Sequence, residues 1–309
     1  MKQKKNKDLL SLIEFSAEEI RHIVAQAKKF KRGRPEVGRK IFTGRTGVLI
    51  FEKPSLRTRI TFETAIHELG GHAITLTSDM VGIGKRESPA DVARNLERWV
   101  HLIVARTFSH STVEQLASHS SIPVINALTD TFHPCQALAF AQTLDEHCAG
   151  KKKYKVVFIG DSNNVCNSIM VLCAKLGYDF TVACPEGYEP SEAVWKRAMA
   201  IARKSGAALA VTHDPAAAVA GASAVYTDVW TSMGQEKESE QRRRDFAAFQ
   251  VNEKLMARAP ADAIVSHCLP AHRGEEITSG VLDSTRSVAF DEAENRLHVQ
   301  KAVIDHLFS

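Results

Sequence analysis

Ser55, Arg57, Thr58 and Arg59 fall within five consecutive positions of the stretch FEKPSLRTRITFE, a crowding of hydrogen-bond donors that calls for a reason. Upstream, the apolar residues of TGVLIF run consecutively, as in a strand covered on both faces. Downstream, Ile60, Thr64 and His67, with Phe62, Ile66 and Leu69, recur at helical spacing. The donors therefore sit where a strand hands over to a helix, and there unpaired backbone N–H groups and the positive end of the helix dipole favour an anion. Arg57 and Arg59 add planar donor forks suited to phosphate or carboxylate. These residues predict an oxyanion site centred on Ser55, Arg57 and Thr58; a solvated basic turn with Ser55 as helix N-cap would use the same residue types.

Other polar groups recur at the ends of apolar runs. In HPCQ, Pro134 suits a first helical position, so that His133 and Gln136 face one point as donor and amide; a histidine N-cap is the plainer reading. DVWTSMG offers an acid, a hydroxyl and a glycine-terminated loop: Asp228 for an ammonium, and N–H groups for a carboxylate, unless the segment is simply an Asx-type turn. HCLPAHR contains His267, Cys268 and His272, but neither zinc-ligand spacing nor an identified base for a cysteine nucleophile. IGDSNN has one glycine where a dinucleotide fingerprint needs three, leaving Asn163 and Asn164 as ligand or cap candidates.

The elements that must position these groups alternate. SAEEIRHIVAQAKKF opens with Ser16 and Glu19 at capping-box spacing and an apolar stripe of Ile20, Ile23, Val24 and Ala27. Strand-like TGVLIF, HAITL, HLIVAR and IPVIN are each followed by a helix-like segment, one of them started by Ser88 and Pro89. The rhythm restarts after KKKYK with KVVFIGD, DFTVAC, ALAVTHD, SAVYTDVW and AIVSHCLP. This predicts an α/β protein of two domains, each a mainly parallel sheet flanked by helices: residues 1–147 with a closing helix over 291–309, and residues 148–290. A length of 309 residues suits two domains of about 150 each.

Composition narrows the class. Hydrophobic residues at 44% and charged residues at 25% suit a globular core, and a net charge of +4 spread over separate basic runs (MKQKKNK, KKKYK, RRR) reads as solvated ends and linkers. No basic stripe with aromatic platforms suggests nucleic-acid binding, and no apolar run approaches a membrane span. Six cysteines without a CxxC pair imply reduced thiols, five of them as small core residues, in a cytoplasmic protein.

Taken together, FEKPSLRTR, Arg106, HPCQ, DVWTSMGQE and HCLP, in this order between residues 51 and 270, resemble the aspartate/ornithine carbamoyltransferase superfamily, and SMG and HCLP look like motifs of its ornithine branch. The resemblance extends through PEGYEP and DEAENR. It implies carbamoyl phosphate held mainly by the first domain and ornithine by the second, an active site in the cleft between them, a trimer with shared active sites, and neither metal nor nucleotide cofactor. By the same resemblance, Ser55, Leu56, Arg57 and Thr58 bind phosphate, Arg106 and His133 polarise the carbamoyl oxygen, and Gln136 holds the carbamoyl amino group. Asn164, Asp228, Ser232 and Met233 grip the α-amino and α-carboxyl groups of ornithine. Cys268 and Leu269 lie between the substrates, and Arg296 adds an anion contact. Two departures stand out: many members have Thr where this chain has Leu56, and Gly82 occupies a position where members often carry a Gln or His that reaches a neighbouring site. Lys85 or Arg86, in the loop over 78–88, would then supply the missing contact. The resemblance implies attack by the δ-amine of L-ornithine on carbamoyl phosphate to give citrulline, in arginine biosynthesis. The alternatives are a sister carbamoyltransferase for N-acylated ornithine, putrescine or another amine, a nucleotide-dependent oxidoreductase, and a nonenzymatic anion- or RNA-binding protein.

Overall fold

The strand-like runs become parallel strands, buried within each sheet and partly exposed at HAITL and LAVT. The computed structural model describes residues 7–33, 40–84, 86–148 and 153–309; Lys85 lies outside the described residues, as do parts of the MKQKKNK and KKKYK runs. The chain divides into two compact units, Met1–Gln142 with Glu294–Ser309, and Thr143–Ala293.

In the first unit, β1 (Thr46–Phe51), β2 (His72–Thr77), β3 (Leu102–Arg106) and β4 (Val124–Leu128) form a parallel sheet in the order β2-β1-β3-β4. Leu9 adds a parallel bridge beside Ile125. Because β1 has β2 on one side and β3 on the other, the chain leaves the ends of β1 and β3 in opposite directions, and such a switch point is where open α/β sheets bind their ligands. Phe51 pairs with Arg106 at that edge, so the SLRTR turn and Arg106 start as neighbours. The helix Leu56–Glu68 follows β1 and buries Thr58, Phe62, Ala65 and Ile66. Burial of Phe62 and Ile66 contributes about 1.5–3 kcal/mol each, which anchors the helix start beneath the strand ends. Ile60, expected on the apolar face, is exposed.

The second unit repeats the plan with β5 (Lys155–Ile159), β6 (Asp179–Ala183), β7 (Leu209–Thr212), β8 (Ala224–Thr227) and β9 (Ile264–His267), parallel in the order β7-β6-β5-β8-β9. Its switch point lies between β5 and β8, where Ile159 pairs with Thr227. Asn163 therefore emerges beside Asp228, while β9 brings Cys268 to the other side of Asp228.

The capping box on Ala17–Arg32 and the Ser88 cap of Pro89–Leu96 form as their sequences indicate. The closing helix runs from Ala289 to Phe308. Its Glu292 accepts from the Tyr226 hydroxyl in the second unit, whereas its later turns belong to the first: Lys301 pairs with Glu68 at 2.6 Å, and Lys31 reaches Asn295 at 2.9 Å. No described helix is long and apolar enough to cross a membrane.

Candidate active site

In the first unit, Ser55 has extended backbone (φ −160°, ψ 113°) and its hydroxyl accepts the Thr58 N–H at 3.2 Å, capping the Leu56–Glu68 helix. The cap holds the first turn open toward the strand ends. Thr58 is 1% exposed, and its hydroxyl accepts from two guanidinium groups: Nη2 of Arg296 at 3.1 Å and Nη1 of Arg106 at 3.5 Å. Arg296 also donates through Nη1 to Oε1 of Gln136 at 2.5 Å. Pro134 starts the helix Pro134–His147 as its type suggests, and the His133 carbonyl accepts from Gln136 and Ala137. His133 is buried, and its pKa is driven well below the ordinary value, first by desolvation and then by the charges of Arg296, Arg106 and Arg57. At neutral pH its imidazole is therefore uncharged, a donor that adds no further cation. Ser55, Arg57, Thr58, Arg106, His133, Gln136 and Arg296 thus form one cluster, drawn from four separate segments of the chain.

Two neighbours do not join in. Arg59 points its fork at Glu63 one turn on, at 2.9 Å on the exposed face, so the second arginine of SLRTR is a surface partner rather than an oxyanion donor. Leu56 is 75% exposed, so its side chain holds nothing and only its backbone N–H remains to contribute.

The second unit builds its cluster on a carboxylate. Asp228 is 7% exposed; Oδ2 accepts from Nδ2 of Asn163 at 2.7 Å, and Oδ1 accepts from the Val229 N–H and the Cys268 thiol, both at 2.8 Å. Three donors leave a carboxylate with acceptor capacity for one more, such as an ammonium group. Asn163 also caps the helix Asn164–Leu176 by accepting from Val165 and Cys166. Of the two asparagines, Asn163 is thus the cap and the partner of Asp228, while half-buried Asn164 stands at the first helical position. The Ser232 N–H donates to Gln235 Oε1 and the Ser232 carbonyl accepts from Gln235, which rounds the SMG loop; Met233 is exposed.

Two supporting networks escape sequence reasoning. Arg242, in a run read as solvated, is buried and donates to Asp161 at 3.0 Å and to the Trp230 carbonyl at 2.9 Å, bracing the loop after Asp228. Burial raises the Asp161 carboxyl despite the opposing pull of Arg242. The second network holds HCLP. Leu269 has φ 57°, a left-handed conformation that costs a non-glycine residue about 1–2 kcal/mol. Its N–H donates to Nδ1 of His267 at 2.8 Å, while Nε2 of the same fully buried ring faces Oε1 of Glu276 at 3.0 Å. Accepting at Nδ1 fixes the proton on Nε2, and Glu276 holds the ring there. Asp228, His267 and Cys268 also offer three ligand atoms within 4.8 Å, of which Asp228 and Cys268 are bonded to each other.

In the expected loop over 78–88, Gly82 (φ 62°) and Gly84 (φ 76°) take left-handed turns and Arg86 is exposed.

Two parallel α/β units, one with a cationic cluster and one with an acid–amide–thiol cluster, each at its own switch point, define a protein built to bind two different polar ligands. Residues 7–146 match the carbamoyl-P binding domain of the aspartate/ornithine carbamoyltransferases, and residues 152–307 match their Asp/Orn binding domain; the chain belongs to this family. It is 50% identical over 304 residues to an ornithine carbamoyltransferase of Pyrococcus horikoshii, covering 97% of this chain and 95% of that protein. An anabolic ornithine carbamoyltransferase of Pyrococcus furiosus is 50% identical over 302 residues, 96% of this chain and 95% of that one. Among solved structures, ornithine carbamoyltransferase from Pyrococcus furiosus superposes with a TM-score of 0.93 at 49% identity, covering 97% of this chain and 96% of that one. An anabolic enzyme from Campylobacter jejuni also gives 0.93, at 40% identity, with 97% and 98% covered.

The state of His133 has a measurable consequence. A base with a depressed folded pKa takes up its proton mainly in the unfolded chain, so stability falls as pH drops below the unfolded value near 6.5 and is recovered above it. Urea unfolding of the parent and of His133→Gln at about pH 7.5 and pH 5.5 is expected to show a smaller acid-induced loss in the variant, with the remainder carried by His298 and His306, which are shifted the same way. Equal losses in both proteins would mean that His133 is not held neutral.

Proposed function

We propose that this chain transfers the carbamoyl group of carbamoyl phosphate to the δ-amine of L-ornithine, giving L-citrulline and phosphate, as its ornithine-directed relatives are named for. The observation that carries the reading is the convergence of Arg106 and Arg296 on the buried Thr58 hydroxyl beside neutral His133, a pocket whose charge calls for an anion.

In this reading Ser55, the N–H of Leu56, Arg57 and Thr58 receive the phosphate at the helix start, Arg106 and His133 donate to the carbamoyl oxygen, and Gln136 takes the carbamoyl amino group. Arg296 adds a further anion contact while donating to Gln136 and Thr58. Asp228 pairs with the α-ammonium of ornithine, and Asn164 with Ser232 and Met233 of the SMG loop frames its α-carboxylate. Cys268 and Leu269 lie between the two substrates. Attack on the carbamoyl carbon places negative charge on the carbonyl oxygen and then on departing phosphate, and donors already aimed at those atoms lower the barrier without reorganising. The δ-amine must first lose a proton, since an alkylamine of this kind has a pKa of about 10.4 in water, so turnover rises with pH. That first proton goes to solvent; the second, shed by the amine nitrogen once the C–N bond forms, goes to the departing phosphate, with Cys268 orienting the amine.

We further propose a cytoplasmic homotrimer in which the loop over 78–88 lies near a neighbouring subunit's site. Six cysteines with no disulfide among the described residues suit a reducing compartment. Static light scattering is expected to give three chains per particle; a monomer of full activity would contradict the shared site.

Citrulline formation measured with L-ornithine, N-acetylornithine, putrescine and aspartate tests the substrate directly, with L-ornithine expected to be the productive amine. Arg57→Ala is expected to lower kcat by about a hundredfold or more, because the lost donor faces charge that grows in the transition state. Asp228→Asn is expected to raise the KM for ornithine far more than that for carbamoyl phosphate. Parent-like turnover in folded Arg57→Ala, or equal losses for both substrates in Asp228→Asn, would overturn the respective assignments.

A further inference from the structure

The segment just past HCLP carries a second constellation, His272, Glu275 and Glu276, that the transfer chemistry does not use. Each offers a ligand atom, and the three atoms lie within 4.8 Å of one another. The turn that gathers them is tightly closed: the Glu275 N–H donates to the His272 carbonyl and the Gly274 N–H to the Ile277 carbonyl, both at 2.9 Å. Gly274 makes this possible by adopting φ 90°. Gln250 clamps the turn from outside, its Nε2 donating to the carbonyls of both Gly274 and Glu275 at 2.9 Å. Arg273, the nearest cation in sequence, is committed to Asp283 through both terminal nitrogens, at 2.6 and 2.8 Å.

The carboxylates are only partly used. Glu276 is 0% exposed; Oε1 accepts from the His272 N–H and faces His267, but Oε2 is buried without a hydrogen-bond partner among the described residues. An unsatisfied carboxylate oxygen of this kind costs the fold stability, and a bound cation would satisfy it. Glu275 uses Oε1 for Arg243, at 2.9 Å, and turns Oε2 toward Nδ1 of half-exposed His272 at 3.8 Å. One imidazole nitrogen and two carboxylate oxygens, open to water on the His272 side, make a borderline donor set with an open coordination position. Ligands of a tetrahedral zinc ion stand about 3.3 Å apart, so the existing spacing needs only side-chain adjustment to close.

We infer that His272, Glu275 and Glu276 form a binding site for a divalent transition-metal ion of the zinc type. Because Glu276 also holds His267, and His267 holds the Leu269 N–H, an ion here bears on the HCLP turn through two hydrogen bonds.

Zinc is the probe, and the nearby Asp228–His267–Cys268 group is the competing explanation, so the titration uses full-length Cys268→Ser protein stripped with a chelator. Calorimetry is expected to show one equivalent of Zn²⁺ bound, and adding His272→Ala to weaken binding by about tenfold or more. Co²⁺ substituted into the Cys268→Ser protein should show d–d absorption that the His272→Ala change removes. His272→Gln serves as the second variant should His272→Ala lose its fold, with the same weakening expected. Absence of Zn²⁺ binding in the Cys268→Ser protein, or equal affinity with and without His272, overturns the assignment.

Discussion

Positive charge gathered around one buried hydroxyl organises the first unit. Arg106 and Arg296 both donate to Thr58, so their donating nitrogens lie no more than about 7 Å apart, a separation at which two unit charges repel by about 2 kcal/mol at an effective dielectric of 20. Desolvation adds to that cost. The chain accepts it through rigid framing: the end of β3 fixes one guanidinium, the closing helix fixes the other, and the capped helix start brings Thr58 between them. His133 completes the arrangement by staying neutral, since a further cation there would sharpen the repulsion. An anion relieves the whole set, and an anion that gains charge during reaction relieves it most.

The second unit solves the opposite problem, a nearly buried carboxylate. Asp228 is held ready by donors from three elements: the Asn163 cap, the N–H that follows it, and the Cys268 thiol. Asn163 shows how one side chain links local and tertiary structure, for it closes the start of a helix and steers the carboxylate on a neighbouring strand end. The two sheets share a principle. Each places its polar cluster where strand order reverses, so that side chains far apart in sequence begin from adjacent strand ends.

Much of this was legible from residue order. Central strands covered on both faces announce themselves as consecutive apolar runs, and the caps Ser16 and Ser88 and the first-turn Pro134 follow from local chemistry, so β1 to β9 and the main helix starts fall where the sequence reading puts them. What stayed hidden depends on contacts between distant segments. Arg59 and Arg57 look alike in SLRTR, but helical spacing hands Arg59 to Glu63, and an exposed i to i+4 pair leaves no mark distinct from a binding fork. Arg242 looks like its neighbours in RRR until Asp161 and the Trp230 carbonyl arrive from other elements. Glu276 reaches His267 only because the turn after Pro270 doubles back, and spacing along the chain does not reveal that. The oxyanion site at Ser55, Arg57 and Thr58 is legible in the residues themselves, but Arg296 joins it only through the motif resemblance, since it lies far along the chain from Thr58 and no periodicity links them.

The most direct test of the central claim separates stored charge from structural bracing at Arg296. In Arg296→Met, which keeps much of the side-chain volume and removes the charge, urea unfolding is measured with and without saturating carbamoyl phosphate. A ligand that binds only the folded chain stabilises it in proportion to RT ln(1 + [L]/Kd), about 2.7 kcal/mol at a hundredfold excess over Kd. The account predicts that the ligand-free variant is at least as stable as the parent while the ligand-induced gain largely disappears. A variant that loses several kcal/mol without ligand yet keeps the full gain would contradict it, and would make Arg296 a brace rather than part of an anion site.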